Sequence, residues 1–134
     1  MIETNRLKLI PCTKEYIMNN ENTGYEFGPH IDFYLEMLQQ DSTQYGWGVW
    51  FVELKEEGNI IGDVGFKGKP TEEGVVEIGY GISPNAQNKG YATESVAALI
   101  QWAFSSKAVT KIMAECLEHN IPSIKVLEKV GMEL

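Results

Sequence analysis

Val76-Glu77-Ile78-Gly79-Tyr80-Gly81-Ile82-Ser83-Pro84, continued by Gln87-Asn88-Lys89-Gly90-Tyr91-Ala92-Thr93-Glu94, is the stretch on which the fold of this chain turns. Its first half is β-branched and aromatic and reads as a strand over residues 75–82. Residues 84–90 are a polar loop with a proline at one end and a glycine at the other. Residues 91–104 then carry Ala92, Val96, Leu99, Ile100 and Ala103 on one helical stripe. A strand therefore runs through a short loop into a long amphipathic helix, with Gly90 and Ala92 at the helix mouth. Helix starts expose N–H groups that have no partner and carry a positive dipole end. Small residues let an anion approach those groups closely, so the loop suits phosphate oxygens, and Thr93 adds a hydroxyl in the first turn. A glycine-permitted turn before an ordinary helix is the plainer reading of the six residues taken alone.

Upstream, Arg6-Leu7-Lys8-Leu9-Ile10 alternates polar and apolar and reads as a first strand stopped by Pro11. Residues 14–28 read as a short helix and loop, and residues 30–40 as a helix with Pro29 in its first turn. Residues 47–54 and 60–66 form a hairpin around Glu56-Glu57-Gly58-Asn59. Downstream, residues 111–116 read as a strand and residues 122–130 as a short helix ended by Gly131. The order is strand, helices, three-strand meander, helix, strand, helix, which is α+β and not a Rossmann alternation.

At 134 residues the chain is expected to form one domain, 1–134, since two halves would be too small for good cores. Eleven basic against nineteen acidic residues, a net charge of −8, disfavour a nucleic-acid partner and are compatible with a cationic substrate. No apolar run is long enough for a membrane span. The opening Met1-Ile2-Glu3-Thr4-Asn5-Arg6 lacks the layout of a signal peptide, so a cytoplasmic protein is expected. Cys12 and Cys116 are expected as reduced core thiols, and no Cys/His spacing suggests a metal site.

The loop and helix resemble the GNAT acetyltransferases, whose signature is Gln/Arg-x-x-Gly-x-Gly/Ala. Gln87, Gly90 and Ala92 match it. The run from Asn120 through Ser123, Val126, Leu127, Glu128 and Lys129 to Gly131 is similar to the family's Asn-x-x-Ser-x-x-Val-Leu-Glu-Lys-x-Gly segment. Glu3-Thr4-Asn5-Arg6-Leu7 resembles an opening common in the ribosomal-protein N-terminal acetyltransferase branch. The resemblance implies a mixed, mainly antiparallel sheet flanked by helices. It implies acetyl-CoA as co-substrate, no metal, and an amine acceptor, either a protein N-terminus or a small molecule. By position it implies that Gly81, Ile82 and Ser83 lie along the pantetheine arm, by strand addition. Asn88, Lys89, Gly90, Tyr91, Ala92 and Thr93 would present amides to the pyrophosphate, and Asn120 would contact the thioester end.

Such a reaction asks little of side chains. Aligning the amine with the thioester supplies much of the acceleration, a carboxylate removes the ammonium proton, and strand N–H groups stabilise the developing oxyanion. Two glutamates compete for the base: Glu77, which is favoured slightly, and Glu115. Each is equally a solvated or ion-paired strand residue. The family's frequent tyrosine acid is replaced here by Leu127, which leaves Ser123 as the hydroxyl to name, or else a helix cap. His30 and His119 read as structural or surface residues. The aromatic run 45–51 reads as a buried strand in preference to a cation–π pocket.

Relative to the family, the sequence lacks the final strand hairpin beyond Gly131. Its open strand edge raises the expectation of a homodimer or an unusually open acceptor site. The alternative function is an acyl-CoA-binding module without transferase activity.

Overall fold

The computed structural model describes residues 1–114 and 121–131, the latter without the side chains of 121–123. Strand β1 (Ile2–Glu3) pairs with β2 (Leu7–Pro11), and helices α1 (Lys14–Asn19) and α2 (Pro29–Gln40) come next. The meander is β3 (Val49–Leu54), β4 (Ile60–Phe66) and β5 (Val75–Ile82). Helix α3 (Tyr91–Ser105), strand β6 (Lys111–Met113) and helix α4 (Ile121–Lys129) complete the order. The six strands lie in sequence order, antiparallel except for the parallel β5–β6 pair. This is the α+β arrangement expected.

Helices cover both faces of the sheet. Residues Leu7 and Leu9 of β2, Trp50 and Val52 of β3, and Val76 and Ile78 of β5 pack against Val96, Leu99 and Ala103 of α3. On the other face Val49 and Phe51 meet Ile31 and Tyr34 of α2, with Cys12 buried beside them. Strand β3 is therefore buried at four consecutive positions, Val49 to Val52, which is why it reads as a continuous apolar run and not an alternation. Its aromatics belong to the core: Trp50 stacks edge-on against Trp102 of α3 at 5.0 Å, and Phe51 lies against Tyr16 at 4.8 Å. Gly48 lets α2 sit close to the sheet, because a Cβ there would fall 2.0 Å from the Tyr34 ring.

The sheet is irregular at one place. Strand β5 pairs with β4 out to Ile82, but with β6 only over Val75–Glu77. Beyond Glu77, the edge of β5 away from β4 has no strand partner among the described residues, so the sheet opens like a fork.

Candidate active site

The loop after β5 bends sharply into α3. Asn88 has φ 63° and Gly90 has φ 82°, both in the left-handed region. Asparagine tolerates that region and glycine occupies it without strain. Gly90 is the N-cap of α3 and brings no capping side chain. The first N–H groups of the helix therefore have neither an intrahelical acceptor nor a cap. The Gln87 side chain ties the loop down, its Nε2 donating to the Ile82 carbonyl at 2.9 Å.

The N-terminal segment braces this turn from outside. Arg6 donates from Nη1 to the Lys89 carbonyl at 2.9 Å and from Nε to Glu94 Oε1 at 2.8 Å. Its guanidinium stands 4.4 Å from the centroid of the Tyr91 ring. The Thr4 hydroxyl and the Arg6 backbone N–H both donate to Glu94. Burial alone would raise the Glu94 carboxyl, but these donors outweigh it and hold the group below its ordinary value.

A cleft of about 560 Å³ opens between the free edge of β5, the start of α3 and α4. Gly81 and Ile82 line it from the strand, and Asn88, Gly90, Tyr91, Ala92 and Thr93 from the loop and helix. Of the residues expected to hold the donor, Ser83 and Lys89 do not line the cleft, and Asn120 lies outside the described residues. Lys125 and Lys129 of α4 do line it. Lys129 belongs to the family-like segment that ends at Gly131, where the resemblance implies no binding role for it, and Lys125 falls on one of its unspecified positions; their four-residue spacing puts both on one helix face.

On the opposite side of β5 lies a trough of about 810 Å³, bounded by α2 and floored by β4 and β5. Tyr80 and Gly81 border both spaces, so the cleft and the trough meet there. At Gly79 and Gly81 an added Cβ would meet nothing within 4 Å, which identifies them as open floor. Asp63 lines the trough and lies opposite Gly81 in the β4–β5 register. It accepts from the Tyr25 hydroxyl at 2.7 Å, and His30 Nε2 lies 3.2 Å from its other oxygen. Sequence pattern marks neither Asp63 nor Tyr25, and it reads His30 as a structural or surface residue. What joins the three is tertiary contact between residues 33 to 38 positions apart.

Glu77 sits at the fork, the last residue of β5 paired with β6. Its carboxylate is ion-paired with Lys67 and 29% exposed, and its carbonyl accepts from the Lys67 N–H at 3.0 Å. Glu77 is thus an ion-paired strand residue, with part of its carboxylate still open to solvent. Glu115 lies outside the described residues, as does the side chain of Ser123. Among the described residues no group of three or more His, Cys, Asp and Glu is placed to hold a metal, and no helix is long and apolar enough to cross a membrane.

The family model of the acetyltransferase (GNAT) domain matches residues 12–133. The chain belongs to the GNAT acetyltransferases. An uncharacterized N-acetyltransferase of Bacillus subtilis (strain 168), YjdG, is 34% identical, over 100% of this chain and 90% of its own length. A GNAT-family acetyltransferase structure from Bacillus anthracis superposes with a TM-score of 0.69 at 25% identity, covering 98% of this chain and 82% of that one. The ribosomal-protein-S5-alanine acetyltransferase of Vibrio fischeri shares the fold, with a TM-score of 0.71 at 20% identity over 97% and 81% of the two chains. This GNAT acetyltransferase is therefore an acyl-transferring enzyme. Its forked sheet and uncapped helix start are the parts of the fold that face the cleft.

Proposed function

We propose that this acetyltransferase takes its acetyl group from acetyl-CoA and gives it to a primary amine, on a small molecule or a protein N-terminus. The observation that carries the reading is the uncapped start of α3 facing a cleft that meets a second cavity at Tyr80 and Gly81. Acetyl-CoA would supply an activated acyl thioester. The amides of residues 88–93, helped by Lys125 and Lys129, suit its pyrophosphate. The free edge of β5 beyond Glu77 suits the amides of its pantetheine arm. An amine reaching the same junction from the trough side would attack across the strand edge.

Glu77 is the base we favour, acting directly or through water; Glu115 and the Ser123 hydroxyl complete the candidate set. In the overall step a C–N bond forms and the C–S bond breaks. The ammonium proton goes to the carboxylate, and the departing thiolate takes a proton from Ser123 or solvent. The opening motif and the Vibrio fischeri neighbour favour kinship with the ribosomal-protein branch, and the cytoplasm is where such donors and acceptors meet. Calorimetry with acetyl-CoA, paired with thiol release across an amine panel, tests the proposal. Binding with release on at least one amine is expected, and Glu77→Gln should lower kcat by roughly 10²-fold or more with KM little changed. Indifference to coenzyme A at millimolar concentration would sink it.

A further inference from the structure

The trough that meets the cleft carries its own chemical signature. Phe33, Tyr34 and Met37 of α2 face Val49 and Phe66 across the glycine floor, and Phe33 is 72% exposed. An exposed aromatic beside an open apolar trough is surface that a ligand would remove from water. The acidic and basic side chains that line it are Asp63, His30 and Lys67; Asp32 and Glu36, also on α2, do not. Lys67 is ion-paired with Glu77. The trough therefore offers one carboxylate that is not already matched to a lysine or arginine among the described residues.

We infer that the acceptor is a primary amine bearing a single positive charge on an apolar body, and that Asp63, held by Tyr25 and His30, seats its ammonium beside Gly81. This rests on the acetyl-transfer reading above and names its substrate class. The geometry supports the seat in three ways. Each carboxylate oxygen has two acceptor positions, and Tyr25 and His30 use one on each, which leaves one per oxygen for the ammonium. Burial and the Asp63 hydrogen bond push the Tyr25 hydroxyl's titration upward, so it stays a donor at working pH. Asp63 stands directly across the ladder from Gly81, where the two cavities join, within about 5 Å by ordinary cross-strand spacing. Glu77 lies four residues before Gly81 on β5, about 13 Å away at strand rise, and lines neither cavity, so a proton passing from the amine to it would need a relay of several waters. Asp63 is thus the carboxylate placed to bind the ammonium, a role separate from that of the base proposed above. A second ammonium on the acceptor would find no carboxylate in the trough and would approach Lys67, so a polyamine fits poorly.

The test compares 2-phenylethylamine, methylamine, spermidine and a short peptide with N-terminal phenylalanine, with acetyl-CoA affinity measured alongside. Expected is a kcat/KM at least tenfold higher for 2-phenylethylamine or the peptide than for spermidine; whichever of the two is faster identifies the source of the amine. Asp63→Asn should raise KM for those acceptors at least tenfold, leaving kcat within about threefold and acetyl-CoA affinity unchanged. Gly79→Val projects a side chain into empty trough, so it should fold normally. It should cost 2-phenylethylamine at least tenfold more than methylamine. A preference for spermidine, an unmoved KM in Asp63→Asn, or equal losses for both amines in Gly79→Val would overturn the inference while leaving acetyl transfer standing. Absence of acetyl-CoA binding would instead remove the reading beneath it.

Discussion

Gly90 and Glu94 show how single residues set the shape of the turn that borders the cleft. Gly90 holds φ 82° at the N-cap of α3, and a Cβ there would stand 3.3 Å from Arg6 Nη2. A left-handed backbone costs a non-glycine residue about 1–2 kcal/mol. Gly90→Ala should therefore lower unfolding free energy by about 1 kcal/mol in urea titration and weaken acetyl-CoA binding in calorimetry, as the loop and Arg6 shift together. Glu94 is a matter of charge. Its carboxyl is held below the ordinary value of 4.5, so its bonds to Thr4 and Arg6 stabilise the fold fully above that value. The contribution is lost as pH falls through the depressed one. Glu94→Gln should be less stable than the native chain at neutral pH, and the gap should narrow in urea titrations as pH drops below about 4. A gap that widened in acid would contradict the assignment of the charged form to the folded state.

Among the elements, α3 and α4 would divide the work of holding the proposed donor's pyrophosphate. Helix α3 contributes backbone amides and the positive end of its dipole, equivalent to about half a charge. Helix α4 contributes Lys125 and Lys129, one turn apart on the wall of the cleft. Point charges near the surface are screened by salt, whereas amide hydrogen bonds are short-ranged and screened far less. Replacing both lysines by alanine should weaken acetyl-CoA binding several-fold in dilute buffer and flatten its salt dependence, as isothermal titration at two ionic strengths would show. Strand β5 has a comparable double role. Its Val76 and Ile78 anchor it in the core while Gly79 and Gly81 leave the other face bare. One strand thus separates the cleft from the trough with little more than backbone between them.

For the molecule as a whole, the net charge of −8 sets the context in which these local features act. An anionic donor approaching an acidic protein is repelled in general and attracted only where cations and amides converge. The cleft wall supplies that convergence with two lysines of α4 and the amides at the start of α3. Since the cleft joins β5, α3 and α4, a ligand there ties together elements distant in sequence and stabilises only the native state. Acetyl-CoA at a hundred times its dissociation constant should add about 2.7 kcal/mol. For a chain of this size that amounts to a rise in Tm of about 10 °C in a thermal-shift experiment. The same concentration of acetate should give none.

Local pattern carried the element order and the strand–loop–helix geometry around the cleft. The loop motif, the helical stripe from Ala92 to Ala103 and the aromatic strand 49–54 are all contiguous, and their physics depends on neighbours in sequence. Glu77 can be named from its place at the head of β5, but not its ion pair with Lys67, which depends on how the chain turns back between β4 and β5. The trough side was illegible for a related reason. Asp63, Tyr25 and His30 look like an ordinary strand acid, a loop tyrosine and a surface histidine until the sheet brings them within hydrogen-bond reach. Glycines 79 and 81 likewise read as positions within the strand 75–82, and only the packing of α2 across the sheet reveals them as the floor of a trough. Backbone amides at a helix start are determined by a few consecutive residues, so sequence alone sufficed for them. A cavity is determined by what is absent between elements far apart in the chain, and that is decided only when the core closes.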